Sequence, residues 1–197
     1  MISAFAFPAQ GQPKGCTGSG LENQKRGDLV QIAYSAKTKS NSFSWVRGTI
    51  HIDAPPQVVW DSVHVSRKKD PDLAYSRVLE RSINEETYEE KFQLLPMLGS
   101  ATCVLKDKET PYKRIDYQLV KSDRFKGMEG SWVFAASEDG KSTILELTSH
   151  IDIGLPCFQG FIDNNLAKKM ERRLLHVKSL AEAVKLPVSI SQARSEL

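Results

Sequence analysis

The stretch GTIHIDAPPQVVW, residues 48–60, fixes more of the fold than any other part of the chain. Val46, Gly48, Ile50 and Ile52 alternate with Arg47, Thr49, His51 and Asp53, which is the period of a strand with one buried face. Pro55 and Pro56 then end the strand, because proline has no N–H to give to a ladder. Pro56 suits the first turn of a helix, where the missing N–H costs nothing. Val58, Val59, Trp60 and Val63 resume at helical spacing. A strand at residues 43–53 therefore runs straight into a short helix. The run SRKKDPD ends that helix, and a second short helical turn is expected around residues 70–74.

About six short strands follow, separated by turn-forming residues. They are expected at residues 77–83, 87–95, 100–106, 113–121, 131–136 and 142–152. Residues 28–36 make a first strand or a strand-like lead-in. Tight turns between consecutive strands imply an antiparallel meander. The turn at Asp139-Gly140 sets Trp132 opposite Leu147 and Phe134 opposite Leu145. One long helix closes the domain, from residue 156 to about 184. Ile162, Leu166, Met170, Leu174, Val177, Leu180, Ala181 and Val184 share one face, which must lie on the sheet. Residues 1–27, rich in Gly, Gln, Pro and Ser, read as a disordered leader. Residues 28–186 form the domain, and 187–197 a polar tail.

Composition narrows the function. A chain of 197 residues with 40% hydrophobic and 26% charged residues is ordinary for a soluble domain. A net charge of +3 gives no concentrated basic face, so nucleic acid is not an expected partner. Three cysteines, Cys16, Cys103 and Cys157, make neither a disulfide framework nor a zinc motif. No apolar run reaches membrane-spanning length. The start MISAFAFPAQ lacks the basic region of an export signal. A cytoplasmic protein is the default expectation, and an incomplete N-terminus would leave export open.

The order of elements resembles the helix-grip fold of the START and polyketide-cyclase/aromatase superfamily. Three pieces carry the likeness: IHIDAPPQVVW, GMEGSWVF after a long loop, and TILELTSHI followed by the helix FIDNNLAKKMERRLLHVKSLAEAV. The resemblance covers roughly residues 43–185. It implies an α+β domain in which a curved antiparallel sheet of about seven strands grips the long helix, with two short helices after the first strand. It also implies an apolar cavity for a lipid, sterol, quinone or polyketide-like molecule, with no cofactor. It carries no catalytic triad over to this chain.

Strand alternation selects the residues that would line such a cavity: Tyr88, Glu90, Phe92, Cys103, Tyr117, Trp132, Phe134 and Leu147 from the sheet, and Ile162, Leu166, Met170 and Arg173 from the helix. Glu90 stands out because it alternates with two aromatic residues on the inner face. Arg173, amid the apolar helix face, is its natural partner. Together with Tyr88 or Tyr117 they would orient a ligand's polar group. If the protein is a cyclase/aromatase- or hydratase-like enzyme, Glu90 or a cavity tyrosine is the candidate acid or base; binding without catalysis needs less of the sequence. A filled core that acts through protein contacts is a third reading. Phe125 and Met128, on the glycine-flanked loop SDRFKGMEG, fit a lid, and equally fit core residues packed under the loop. The basic runs SRKKD and AKKMERR could touch anionic membrane headgroups, although each is broken by acids and a solvated face is the usual explanation.

The motif His-x-Asp occurs twice, at His51–Asp53 and His150–Asp152. If the first and last strands pair antiparallel, the two motifs lie on the order of 15 Å apart. One metal cannot reach both, no metal site is expected, and both pairs read as solvated strand faces.

Overall fold

The computed structural model describes residues 29–34, 45–93, 99–154 and 159–184. Eight strands form one sheet: β1 (Gln31–Tyr34), β2 (Val46–Ile52), β3 (Leu73–Arg81), β4 (Glu85–Gln93), β5 (Ser100–Thr110), β6 (Arg114–Ser122), β7 (Gly127–Ala136) and β8 (Thr143–Asp152). Helix α1 (Pro56–Lys68) follows β2, and α2 (Gln159–Ala183) follows β8. The sheet order is β1-β2-β8-β7-β6-β5-β4-β3, and every neighbouring pair is antiparallel.

β2 buries Val46, Gly48, Ile50 and Ile52 and exposes Arg47 and His51, as its alternation requires. The strand-to-helix junction is fixed by two sets of bonds. Val58 and Val59 donate their N–H groups to the Pro55 carbonyl, at 3.0 and 3.2 Å, which starts α1. The Thr143 hydroxyl donates to the carbonyl of fully buried Ala54 at 2.8 Å, which ties the corner to the start of β8. Val59, Trp60 and Val63 then face the core.

The registers expected at the last hairpin are present: Trp132 pairs with Leu147 and Phe134 with Leu145. Two expectations differ from the structure. Only α1 lies between β2 and β3, with no second helical turn at residues 70–74. The Asp70 carboxylate accepts the Asp72 N–H at 2.9 Å, and the Leu73 N–H goes back to the Asp70 carbonyl. This side-chain turn competes with helix and delivers the chain directly into β3. The strand count is eight because the lead-in before residue 36 is a true edge strand, β1, paired with β2.

The backbone of α2 lies against β2, β8 and α1, not against β3–β6. Gly48 permits this approach: a Cβ there would stand 2.7 Å from both Leu174 Cδ1 and Met170 Sδ. At its far end α2 grips β2 through polar groups. Lys178 Nζ donates to the His51 carbonyl at 2.9 Å and to Glu182 Oε1 at 2.8 Å, and the Asp53 N–H donates to the same Glu182 oxygen at 2.9 Å. The main core thus fills the space between the helices and β2, β7 and β8. Tyr88, Ala101, Cys103 and Leu105, on β4 and β5, form a second cluster.

Overpacking at Gly48 is expected to be costly. Gly48→Val should lower stability by about 1–3 kcal/mol, seen as a fall of several degrees in Tm. In a Met170→Ala background the loss should be smaller than the sum of the two single changes; full additivity in denaturant unfolding would show that α2 does not press on this position.

Candidate functional site

The site develops where the second cluster faces the helices. On β4 and β5, Tyr88 pairs with Leu105, Glu90 with Cys103 and Phe92 with Ala101, so these side chains share the inner face. Phe92, Leu119, Phe125 and Met128 pack on this cluster as half-buried neighbours. Phe125 is held by Ser122, whose hydroxyl accepts the N–H groups of Arg124 and Phe125 at 3.1 Å each. The same hydroxyl lies 3.5 Å from Cys103 Sγ, and burial raises the pKa of that thiol. The expected lid residues therefore sit folded down over the apolar wall.

A ring of three polar side chains joins α1 to this wall. Arg67 Nη1 lies 2.7 Å from Asp107 Oδ2, Arg67 Nη2 donates to the Tyr88 hydroxyl at 2.6 Å, and that hydroxyl donates to Asp107 Oδ1 at 2.7 Å. Asp107 is 3% exposed. Burial alone would weaken the proton affinity of Arg67, but the Tyr88 oxygen and the Asp107 carboxylate outweigh it and raise its pKa. Burial raises the pKa of the Tyr88 phenol. Next to the ring, His64 Nε2 stands 3.6 Å from Glu109 Oε1. Burial, with help from Arg67, lowers the pKa of His64, and burial raises that of Glu109.

Glu90 is inward, half-buried and neighboured by this ring. Burial raises its pKa; the charge of Arg67, a bond from Ser76 and the charge of Arg173 work against that rise without cancelling it. The expected Glu90–Arg173 pair does not form. Arg173 pairs instead with Asp70, on the turn after α1, while Lys169 pairs with Asp72 at 2.7 Å. Helical geometry aims Arg173 toward α1 rather than across the sheet, and Arg67 is the larger positive influence on Glu90. Tyr117 is committed to the wall: its hydroxyl donates to the Thr148 carbonyl at 3.3 Å, and its ring crosses Gly130, where a Cβ would stand 2.3 Å from that hydroxyl.

The other expected lining residues divide between the two sides. Trp132, Phe134, Leu147, Leu166 and Met170 are buried in the main core, with the Phe134 ring 5.1 Å from Trp60. Ile162 is half-buried. Sequence reasoning missed Arg67 and Asp107. Both were within reach of the patterns used. Asp107 continues the inner set Ala101, Cys103, Leu105 by one more step, and Arg67 lies four residues after Val63 on the buried face of α1. The charged run SRKKD drew attention to solvent instead.

His51 and Asp53 are exposed and 3.6 Å apart. Val46 pairs with Ser149 and Ile52 with Thr143, so the second His-x-Asp lies at the other end of the ladder. His150 is not a solvated residue as expected: it is buried, with its ring 5.5 Å from that of Trp45. Among the described residues no three His, Cys, Asp or Glu side chains are grouped to hold a metal ion. Cys16 and Cys157 lie outside the described residues, as do residues 1–27 and 187–197. A groove of about 930 Å³ runs across the opposite, convex face of the sheet. Its charges neutralise one another as Arg47–Glu146, Arg114–Asp116 and Lys106–Glu85 pairs.

No family model matches the chain, and no curated protein matches it by sequence. Solved structures do resemble it. Human STARD10 is similar over 85% of this chain and 74% of its own, at 13% identity and a TM-score of 0.65. A STAR-related lipid transfer protein from Xanthomonas axonopodis matches over 83% of this chain and 98% of its own, at 12% identity and a TM-score of 0.61. The Zhui aromatase/cyclase of a Streptomyces species matches over 72% and 93%, at 17% identity and a TM-score of 0.55. The chain has the helix-grip fold shared by START domains and polyketide aromatase/cyclases.

Two measurements check the site's energetics. Asp107→Ala should cost about 1–3 kcal/mol, because it leaves half-buried Arg67 and the buried Tyr88 hydroxyl without their acceptor, whereas Arg67→Met combined with Asp107→Leu should cost clearly less. Glu90 has a raised pKa in the folded state, so its contribution is most favourable below the ordinary pKa of 4.5 and is lost as pH rises through the folded value. Glu90→Gln should therefore gain stability over the parent near neutral pH, and the gain should vanish as pH falls below about 4.5. Urea unfolding at several pH values would show it.

Proposed function

We propose that the protein binds a hydrophobic small molecule between the apolar wall of β4–β6 and the helices, and carries or presents it. The observation that supports this is the division of the interior. The main core and the β4–β5 cluster are separate, and Arg67 of α1 reaches the second cluster through Tyr88 and Asp107 while its charge acts on Glu90. An interior built only for stability gains most from one continuous apolar core. A wall with a few convergent polar groups is the usual design of a ligand site. Glu90 would orient the ligand's polar group, and Phe125 and Met128 would move aside on entry. The lipid, sterol, quinone or polyketide-like class follows from the apolar wall and from the named likeness of the solved structures. No helix among the described residues is long and apolar enough to cross a membrane. Contact of the basic helix surface with a membrane would serve loading and release.

A second reading is favoured by the proton affinity of Glu90. A carboxyl whose pKa is raised by burial holds its proton more firmly than an exposed one, which is the property a general acid in a cyclase-like reaction needs.

Native mass spectrometry of the purified full chain should reveal a bound hydrophobic molecule. Cys103→Trp, which fills the wall, should reduce uptake of a fluorescent lipid probe by about tenfold or more, while Val120→Ala, at an exposed position, should not. A chain that is empty from several expression hosts and takes up no probe would favour the filled-core alternative. Glu90→Gln separates the remaining readings: binding should largely survive, whereas a cyclase would lose its rate.

A further inference from the structure

The sheet order leaves two edges, β1 and β3. β1 has four residues; β3 has nine, and from Ala74 to Arg81 all of them are exposed. The largest exposed apolar side chains of this part of the molecule lie along it: Tyr75 42%, Val78 48%, Leu79 48%, and Ile83 99% in the turn that follows. Neither proline nor lysine interrupts the strand LAYSRVLER, although both commonly protect free edges. An open edge of this length offers a row of main-chain donors and acceptors to another strand.

The bulge in β3 shows which strand. Arg77 pairs with Glu89 and Glu80 pairs with Thr87, while Val78 and Leu79 together face Tyr88. Without the extra residue Arg77 and Glu80 would lie on opposite faces. With it, both stand beside the outer-face residues of β4. A second copy can approach antiparallel, related by a twofold axis that is perpendicular to the sheet and passes between Val78 and Leu79. This register sets Arg77 of each copy opposite Glu80 of the other. The same register sets Val78 opposite Leu79, Ser76 opposite Arg81 and Tyr75 opposite Ser82, and a second irregularity between Leu73 and Tyr75 ends the regular stretch there. Arg81 remains held by Glu86 of its own chain at 2.8 Å, and Arg77 is anchored by Glu89 at 3.1 Å while 66% of its side chain stays exposed. From Tyr75 to Ser82 each cross-strand pair is then apolar with apolar, charge with its opposite, or a serine hydroxyl with a charge or with the Tyr75 ring. Such self-complementarity is the requirement of an isologous contact.

We propose that β3 is a homodimer interface, in which two copies join their sheets edge to edge through the Arg77–Glu80 register. Sedimentation of the full chain over a concentration series should show a reversible monomer–dimer equilibrium. Arg77→Glu and Glu80→Arg should each weaken dimerisation by about tenfold or more, since each turns two attractive pairs into two repulsive ones. An equimolar mixture of the Arg77→Glu chain with the Glu80→Arg chain should restore association, because every opposed pair in that heterodimer is again of opposite sign. Unchanged circular dichroism and thermal melting would show that each variant is folded, and recovery in the mixture shows it independently. A parent chain that stays monomeric up to about 1 mM, a dimer indifferent to both substitutions, or a mixture that fails to associate would each overturn the proposal.

Discussion

The bridge from Arg67 to Asp107 is the interaction on which the site depends. Helix α1 otherwise packs on α2, β7 and β8. Through Arg67 it reaches β5 and, by way of the Tyr88 hydroxyl, β4. A buried ion pair gains little net energy over well-packed apolar groups, but it is strict about geometry and heavily penalised when broken. It therefore sets the distance between the helix layer and the far arm of the sheet. A core of aliphatic side chains alone would allow the arm to slide.

That spacing has an electrostatic consequence. Arg67 satisfies Asp107 and Tyr88 first, and what remains of its field acts on Glu90, Glu109 and His64. Burial raises the pKa of both carboxyls and lowers that of the imidazole, because their charged forms are harder to solvate there. The surroundings of Arg67 thus keep hydrogen-bonding capacity beside the β4–β5 cluster. Such a surface is suited to a hydroxyl or carbonyl on an otherwise apolar molecule, and poorly suited to a bare ion.

The features that were legible in the sequence share one property: they arise from residues close together in the chain. The corner at Pro55-Pro56 is a local steric fact. The faces of β2, β4 and β8 follow from alternation, and the Asp139-Gly140 turn fixes the pairing of Trp132 with Leu147. Inward placement of Glu90 belongs to the same class, since a slip by one residue would bury Glu89 and Lys91 instead. Pairing between distant charges does not. Arg173 lies on the expected helix face, yet its partner is Asp70, because the turn after α1 brings that carboxylate closer than β4 does. His150 was misjudged for a related reason: the ring of Trp45, just before β2, packs against it.

By itself, the sequence determined an antiparallel meander closed by one long helix, the inner and outer faces of most strands, and the presence of an acid among aromatic residues. These follow from period, proline and turn chemistry, which act over a few residues. The tertiary structure decided which cation serves which carboxylate, that one turn replaces a helix at Asp70, and that a bulge in β3 brings Arg77 and Glu80 to one face. Such choices depend on distances between segments far apart in the chain. Those distances exist only once α2 has settled against Gly48 and the sheet has curved away from it.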